Sequence, residues 1–404
     1  MVQMAPPAIA RPCRPRRRGK ALQGAAAGLL LALAPTAGHA AEAKAAFGLE
    51  RHWTSNALDS AFAVPDWYTL LRGSLRRSWG DADATVALGA EFQATRHDTV
   101  TIEDDRAAAV SAEFFRRLPG GIELRGTLSY RASSEGDELQ IGPLALGMRT
   151  PKQAAGAAVQ AGFDLGNTTA LILEAAQSFE AAGATRFQNG LLPATRLDPD
   201  SSRLQFAARL TRTLGAFAFG GSASALLVSV ERLGAPPSSL PFSQYGLRGE
   251  LAYNGADGTR VGLALGAEWL EERDGLYRRA RPAWQLAAAR PLFAGVELRA
   301  SYFGRYETAD SDDPLASWLR RGEFALALKP GGRLALAAGL ACQVKENLLF
   351  ENEERSRALF AEAVYDANAH TALVLRLDLS RTFKTVIDVR QATADVFVGL
   401  RARI

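Results

Sequence analysis

Apolar and polar side chains alternate at every second position along much of this chain. In Thr371–Ser380 the odd positions from 373 to 379 are all leucine, whereas Arg376, Asp378 and Ser380 occupy even positions. Gly121–Arg131 shows the same alternation with other residues. A helix would spread such charges around its circumference, whereas a strand places them on one face. The pattern therefore predicts strands.

Marking strands in this way gives about eighteen, with sixteen as the alternative count, and the connections between them alternate in length. Short turns such as Gly80-Asp81 and Gly166-Asn167 alternate with long polar segments such as Ser133–Lys152 and Gly183–Asp200. Short turns at one rim and long loops at the other are typical of outer-membrane barrels. We therefore predict an all-β fold, a transmembrane up-and-down antiparallel β-barrel.

The first forty residues differ from the rest. A basic segment with six Arg and Lys residues precedes an apolar stretch at 21–34, Pro35 and a small-residue site at Gly38-His39-Ala40. This order is typical of a Sec signal peptide. We predict a cleaved signal at 1–40 and a barrel at 41–404. Removing six positive charges from a net charge of +4 leaves about −2, so the basic pI does not indicate nucleic-acid binding.

The composition of the remaining chain also favours a barrel. Cys342 is the one cysteine left after the signal, so an internal disulfide framework is excluded. No run of about eighteen apolar residues could form a spanning helix. The mean hydropathy of −0.06 fits strands in which every second residue faces lipid. In lipid, unpaired strand edges are costly, so the sheet must close.

The polar face of such a barrel would line its lumen, and a wet lumen removes the cost of burying many charges. An excess of arginine on this face favours anionic solutes. Alternatively, Arg and Glu on neighbouring strands form ladders that brace the wall, and both roles are compatible. The pore-lining candidates are Arg72, Glu91, Glu123, Arg125, Arg203, Arg209, Arg248, Glu250, Glu268, Glu297, Arg299, Arg376 and Asp378.

Two further features concern the ends of the strands. Aromatic residues near strand ends are typical of interfacial girdles; they are Trp67, Tyr68, Trp79, Tyr130, Tyr245, Tyr253, Trp269, Tyr306 and Tyr365. We expect one of the long segments, Ser133–Lys152 or Gly183–Asp200, either to narrow the pore from above or to form an exposed surface loop.

The alternation continues to the last residue of the chain. A barrel of this class typically ends in an alternating strand with a large apolar final residue, which serves as an insertion signal. We assign that signal to Phe397, Gly399, Leu400 and Ile404, with Ile404 in place of the usual aromatic residue.

A search for catalytic chemistry finds no convincing site. His52, His97 and His370 lack metal-binding spacing. His97-Asp98 and Asp104-Asp105 lie in one predicted outer loop. We interpret these residues as part of a hydrophilic loop and not as a catalytic acid–base pair. We therefore expect no enzyme activity, no catalytic residues, no cofactor and no metal.

The chain resembles the Gram-negative beta-barrel porin-2-like group. Arg51-His52-Trp53-Thr54-Ser55-Asn56-Ala57, leading into Trp67-Tyr68-Thr69-Leu70-Leu71, resembles the opening strands of that group. The resemblance covers most of 41–404 and is one of pattern. It implies an outer-membrane location and passive passage of solutes, and it supplies no catalytic residues.

We therefore predict a porin-like channel for small polar solutes, with anions favoured. The alternatives are an exporter of an anionic polysaccharide and a structural or surface barrel that transports nothing. The expected partners are outer-membrane lipid and lipopolysaccharide, the barrel-assembly machinery, periplasmic chaperones and a second copy of the chain in a homo-oligomer. No nucleic acid is expected.

Overall fold

The computed structural model describes most of the chain after residue 41. The described ranges are 42–58, 63–141, 144–188, 192–231, 240–275, 277–308, 315–329, 332–349, 352–384 and 389–403. The predicted signal peptide at 1–40 and Ile404 lie outside them. Within these ranges, no helix is long and apolar enough to cross a membrane.

Eighteen long strands and one two-residue strand form a single sheet. The strands are β1 (Glu42–Thr54), β2 (Asp66–Gly80), β3 (Ala84–His97), β4 (Arg106–Leu118), β5 (Ile122–Ile141), β6 (Leu144–Gly166), β7 (Thr169–Ala182), β8 (Arg186–Phe187), β9 (Ser201–Leu214), β10 (Phe217–Val230), β11 (Phe242–Asn254), β12 (Arg260–Glu272), β13 (Arg278–Phe293), β14 (Val296–Thr308), β15 (Ala316–Leu328), β16 (Leu334–Asn347), β17 (Glu353–Asp366), β18 (Thr371–Lys384) and β19 (Val389–Arg403). A short 3-10 helix at Thr101–Glu103 precedes β4.

The sheet closes because the first long strand pairs with the last. β1 pairs antiparallel with β19, for example Leu49 with Leu400, and on its other side with β2. The other long strands pair with their neighbours in chain order, and β7 pairs directly with β9. The small strand β8 pairs with the outer end of β6. The predicted antiparallel barrel is confirmed. Closure leaves no free edge in lipid.

Every second side chain of a strand faces outward, and this outer face is apolar. In β18 the exposed Leu373, Leu375, Leu377 and Leu379 alternate with Arg376 and Asp378. The apolar outer face continues onto the neighbouring strand, since Leu375 lies opposite Val398 of β19, which is also exposed. An apolar exterior on a closed barrel is the arrangement that a bilayer requires.

The two rims differ as expected, with one correction. Short turns join the strands at one rim, and two of their residues, Gly166 and Asn167, have positive φ values of 76° and 49° that suit a tight turn. The opposite, outer rim carries the longer connections. There Ser133–Lys152, predicted as a loop, belongs mostly to the strands β5 and β6, which pair with each other as far as Ile141 and Leu144. Pairing with a neighbouring chain segment overrides the weak alternation of this stretch.

Candidate functional site

The thirteen residues predicted to line the pore all lie on the inner face of the wall. Their positions alternate with outward-facing apolar residues: Arg72 lies between the strand neighbours Leu71 and Gly73, and Glu268 lies beside the exposed Trp269. The set is Arg72 on β2, Glu91 on β3, Glu123 and Arg125 on β5, Arg203 and Arg209 on β9, Arg248 and Glu250 on β11, Glu268 on β12, Glu297 and Arg299 on β14, and Arg376 and Asp378 on β18.

Most of these charges are joined in ion pairs across or along the strands. Arg209 Nη2 lies 2.5 Å from Glu250 Oε2, and Arg376 Nε lies 2.7 Å from Asp378 Oδ2. The remaining pairs are Arg72–Glu50, Arg125–Glu123, Arg248–Glu268 and Arg299–Glu297. Such ladders connect neighbouring strands and hold the carboxylates against the wall. Glu91 and Arg203 lie on the same face outside these pairs.

In most of these pairs the arginine side chain is more exposed than the carboxylate, whereas Arg376 and Asp378 are equally exposed at 37% and 38%. The Arg72 side chain is 50% exposed, whereas its partner Glu50 is 2% exposed. Arg209 and Glu250 show the same difference at 56% and 19%. At Arg72–Glu50 and Arg209–Glu250 the carboxylate is therefore covered, and the guanidinium group presents further N–H donors to the lumen. An anion inside the barrel would meet arginine before it met the compensating acid.

A stack of aromatic rings lines the inner face where β19, β1, β2 and β3 meet at the outer rim. The Tyr68 ring lies between His52 and His97, with centroids 4.4 and 4.7 Å away, and Phe397 stacks on the other face of His52. Tyr68 was predicted to belong to the interfacial girdle. That prediction is wrong, because its position in β2 places the ring inside and the neighbouring Trp67 outside.

Carboxylates surround this stack and hydrogen bond to it. The two ring nitrogens of His52 lie 3.0 Å from Glu50 Oε2 and 3.1 Å from Asp395 Oδ1. The Tyr68 hydroxyl donates to Asp395 Oδ2 at 2.9 Å, and Asp66 Oδ2 lies 3.3 Å from His97 Nδ1. Sequence reasoning missed this cluster, since it joins both chain ends; only the strand register brings Asp395 next to His52.

His97 and Asp98 do not form an acid–base pair. His97 points inward onto Tyr68, whereas Asp98 points outward and is bound by Arg51 Nη1 at 3.1 Å. Within the described part of the chain, no group of three or more His, Cys, Asp and Glu side chains is arranged to hold a metal ion.

At the opposite side of the outer rim, the wall folds inward. Pairing between β13 and β14 ends at Trp284–Gly304, although β13 begins at Arg278. Pro282 stands in this part of β13, which pairs with β12 and not with β14. Proline has no N–H to donate, so a ladder continued toward β14 would be weakened. The Tyr306 N–H of β14 instead donates to Glu268 Oε2 at 2.7 Å, and Glu268 is an inner-face residue of β12.

The displaced ends of β14, β15 and β16 therefore form a second layer inside the barrel. Their outer face packs against the inner face of β10 to β13. We call the contact the inner apolar cluster; its buried members are Val228, Phe242, Leu270, Ala283, Tyr306, Leu315, Ala316, Trp318 and Leu348. Tyr306 was predicted to belong to the girdle, which is wrong because its strand has left the lipid-facing surface.

A half-buried ion pair connects the two layers. Arg281 of β13 donates to Glu346 of β16 through both terminal nitrogens, at 2.7 and 2.5 Å. Its guanidinium also lies over the Trp318 ring, 5.3 Å from the centroid. A Cβ at position 304 would lie 2.5 Å from Cζ2 of Trp284, so Gly304 permits the close crossing where the layers separate.

The two long segments expected to narrow the pore behave differently. The β5–β6 hairpin continues the pairing of its two strands as far as Ile141 and Leu144. Arg149 of β6 donates to the Ser134 carbonyl at 3.1 Å and to that of Ile102. In 183–200, Arg196 bridges Asp200 and Glu231, and hydrogen bonding to Asp200 raises the pKa of its guanidinium. The inward layer comes instead from β14 to β16, whose connections are shorter.

The described part of the predicted insertion signal is divided between both faces. Leu400 faces outward and is 42% exposed, whereas Phe397 is buried on the inner face against His52. Gly399 also lies on the inner face, where a Cβ would come within 2.8 Å of Glu50 Cγ. The lack of a side chain at Gly399 therefore leaves room for the buried carboxylate of Glu50 beside the aromatic stack.

Several solved structures share this fold at low sequence identity. The copper transporter OprC is 10% identical, with a TM-score of 0.54 over 91% of this chain and 81% of that chain. OccK2 (OpdF) from Pseudomonas aeruginosa in complex with glucuronate is 9% identical, with a TM-score of 0.50 over 90% and 98%. A BenF-like porin from Pseudomonas fluorescens Pf-5 is 9% identical, with a TM-score of 0.51 over 90% and 99%.

No protein-family model and no curated protein sequence matches the chain. At these identities the likeness concerns the fold, and it confirms the resemblance to outer-membrane barrel porins. Together with the closed sheet and its apolar exterior, it identifies an outer-membrane β-barrel.

Proposed function

We propose that this barrel is a channel that passes small polar solutes and favours anions. An eighteen-strand barrel encloses a lumen wide enough for water, and the inner face of this one is charged. The observation that carries the proposal is the exposure of Arg72 and Arg209 above the covered carboxylates of Glu50 and Glu250. Exposed donors above covered acids lower the energy of an anion in the lumen.

The names of similar structures support a transport role. They include a copper transporter and a porin, and OccK2 was solved with glucuronate, an anionic sugar acid. We extend from these proteins only the general role of a channel. The preference for anions rests on the side chains of this chain.

The inward layer of β14 to β16 would set the narrowest part of the passage. It places Trp318 and Tyr306 on the luminal side of β12 and β13, where the half-buried pair Arg281–Glu346 holds it. Only solutes that pass between this layer and the opposite wall, which carries the His52–Tyr68–His97 stack, would cross the barrel.

Planar-bilayer recording of the refolded protein tests the proposal. We expect discrete conductance steps and a reversal potential, in a KCl gradient, that indicates preference for chloride. Arg209→Gln should weaken that preference because Arg209 faces the lumen. Arg212→Gln, three residues further along β9 and facing outward, should leave it unchanged. A preference for potassium in the unaltered protein would contradict the role of the arginines.

A closed structural barrel is the second candidate, and the inner apolar cluster is the observation that favours it. A layer packed this tightly against the wall could block the lumen completely. In that case the refolded protein would show no conductance above background, which would reject the channel. Export of an anionic polysaccharide, the chaperones, the assembly machinery and a homo-oligomer stay predictions.

A further inference from the structure

The outer surface of the barrel carries a band of arginines along one side. Seven exposed arginines face outward within the five residues of each strand nearest the outer rim: Arg355 and Arg357 on β17, Arg381 on β18, Arg390 on β19, Arg51 on β1, Arg96 on β3 and Arg106 on β4. We call this set the arginine arc. Among the described residues, Asp98 and Glu353 are the acids that share this part of the surface.

The register shows that the arginines of the arc are close neighbours. Thr69 of β2 pairs with Arg51 on one side and with Arg96 on the other, which sets both at one level below Trp67. Phe383 of β18 similarly pairs with Arg355 and Arg390. The arc therefore lies level with the outer aromatic girdle and follows the circumference of the barrel.

Two arginines of the arc lie directly opposite each other. Arg357 and Arg381 are cross-strand partners on the same face. Like charges in that position repel each other and destabilise a sheet unless something between them carries the opposite charge. Neither residue forms an ion pair with any described carboxylate, and the same is true of Arg96 and Arg106.

The position of the arc limits what could neutralise it. An outward-facing arginine is costly in the middle of the bilayer and is tolerated near the interface, where anionic groups can reach it. Directly below Arg357 and Arg381, on the same face, are the exposed Leu359 and Leu379. A ligand on this surface must therefore present anionic groups at the rim and acyl chains beneath them.

We propose that the arginine arc binds the phosphate groups of a phosphorylated lipid of the outer leaflet, the chemistry that lipopolysaccharide presents. The planar guanidinium group matches phosphate oxygens in a bidentate manner. Arg357 and Arg381 would share one phosphate, and Arg96 and Arg106 a second. On the described strands of the opposite side, β9 to β11, no arginine faces outward within five residues of the outer rim, and the outward positions nearest that rim are Ser202, Ser229 and Ser243.

The test compares lipid retention by two quadruple variants. One replaces the four unpaired arginines of the arc (R96Q, R106Q, R357Q and R381Q). The matched control replaces four exposed, outward-facing arginines near the short-turn rim (R77Q, R116Q, R212Q and R290Q). Each refolded barrel is titrated with diphosphorylated lipid A in detergent, and bound lipid is counted by native mass spectrometry. The heat-dependent gel shift of a folded barrel verifies folding.

We expect the arc variant to lose about tenfold or more in affinity for lipid A, as the loss of charged hydrogen bonds implies, and the control variant to match the unaltered protein. Equal retention by both variants, or an equal loss in both, would overturn the proposal.

A second measurement on the unaltered protein does not depend on any variant. Dephosphorylated lipid A should bind more weakly than the diphosphorylated form. Inorganic phosphate at the same concentration should fail to displace the lipid, because it lacks acyl chains. Equal binding of both lipids would exclude phosphate recognition, and displacement by inorganic phosphate would exclude a lipid site. Neither result depends on whether the barrel conducts ions.

Discussion

The inner face of the barrel is stabilised differently on the two sides of the outer rim. Where β19, β1, β2 and β3 meet, the inner face is polar, and the His52–Tyr68–His97 stack is held by carboxylates. Across the lumen, β10 to β13 present Phe242 and Leu270, and the ends of β14 to β16 cover them. An apolar inner surface is stable only when something excludes water from it.

This comparison separates what stabilises each side. The polar side depends on hydrogen bonds and ring stacking between side chains of one layer. The apolar side depends on packing between two layers and on the ion pair between Arg281 and Glu346. Loss of packing should therefore loosen the apolar side and alter the lumen, whereas loss of a hydroxyl on the polar side should cost less and leave the lumen unchanged.

The largest effect is expected from Trp318→Ala. Trp318 is 4% exposed between the layers, so its removal leaves a cavity and should cost about 3–5 kcal/mol. Urea unfolding of the protein in lipid vesicles measures the change, and bilayer recording should show a larger conductance as the inner layer loosens. Phe324→Ala on the same strand is the control. It faces outward and is 45% exposed, and lipid tails fill the space that it leaves.

A loss of stability in Trp318→Ala no greater than that of the control would show that the inner layer is not held by packing. The comparison between the two sides would then have to be abandoned.

The sequence predicted the strands well but could not predict these layers. Alternation assigns the face of each residue correctly, as in β18, because neighbours on one strand point in opposite directions. Tyr306 and Trp318 keep that alternation, and they look like lipid-facing aromatics. Alternation does not reveal whether the outward face of a strand meets lipid or the inside of another strand.

The same limit explains the polar side and the arginine arc. His52 and Asp395 are more than three hundred residues apart in the chain, and Arg357 and Arg381 belong to different strands. Their contacts follow from strand register, which a single sequence does not give. The β5–β6 extension was missed because its Ser, Glu and Gly residues have weak strand propensity.

A smaller effect is expected from Tyr68→Phe. The change removes the hydroxyl that donates to Asp395 at 2.9 Å and retains the ring between His52 and His97. A hydrogen bond to a charged group contributes about 1.5–3 kcal/mol at most. The urea midpoint should therefore fall less than in Trp318→Ala, and the conductance should not change. Tyr245→Phe, on the lipid-facing surface, is the control and should be neutral.

If Tyr68→Phe destabilised the barrel as strongly as Trp318→Ala, hydrogen bonding on the polar side would matter as much as packing on the apolar side. That outcome would remove the distinction between them.

The smallest effect concerns Asp105, beside the 3-10 helix at the polar side of the rim. Burial raises the pKa of its carboxyl group, and a hydrogen bond from the Gly136 N–H, at 2.7 Å, opposes the rise. A raised pKa means that the folded state favours the neutral acid. Its contribution to stability is therefore present below the pKa of the unfolded chain, about 3.9, and is lost as the pH rises through the folded value.

Asp105→Asn keeps an oxygen that can accept from Gly136 and removes the buried charge. The melting temperature at neutral pH should therefore rise slightly. In the unaltered protein, ionisation of Asp105 lowers the melting temperature between about pH 4 and neutrality, and the variant should lack this contribution. Thermal unfolding followed by circular dichroism across that range measures both.

Asp257→Asn, in a turn at the opposite rim, provides the reverse control. Hydrogen bonds from Thr259 lower the pKa of Asp257, so its contribution is lost only as the pH falls below about 4. Identical pH profiles for the two variants would contradict a buried charge at Asp105.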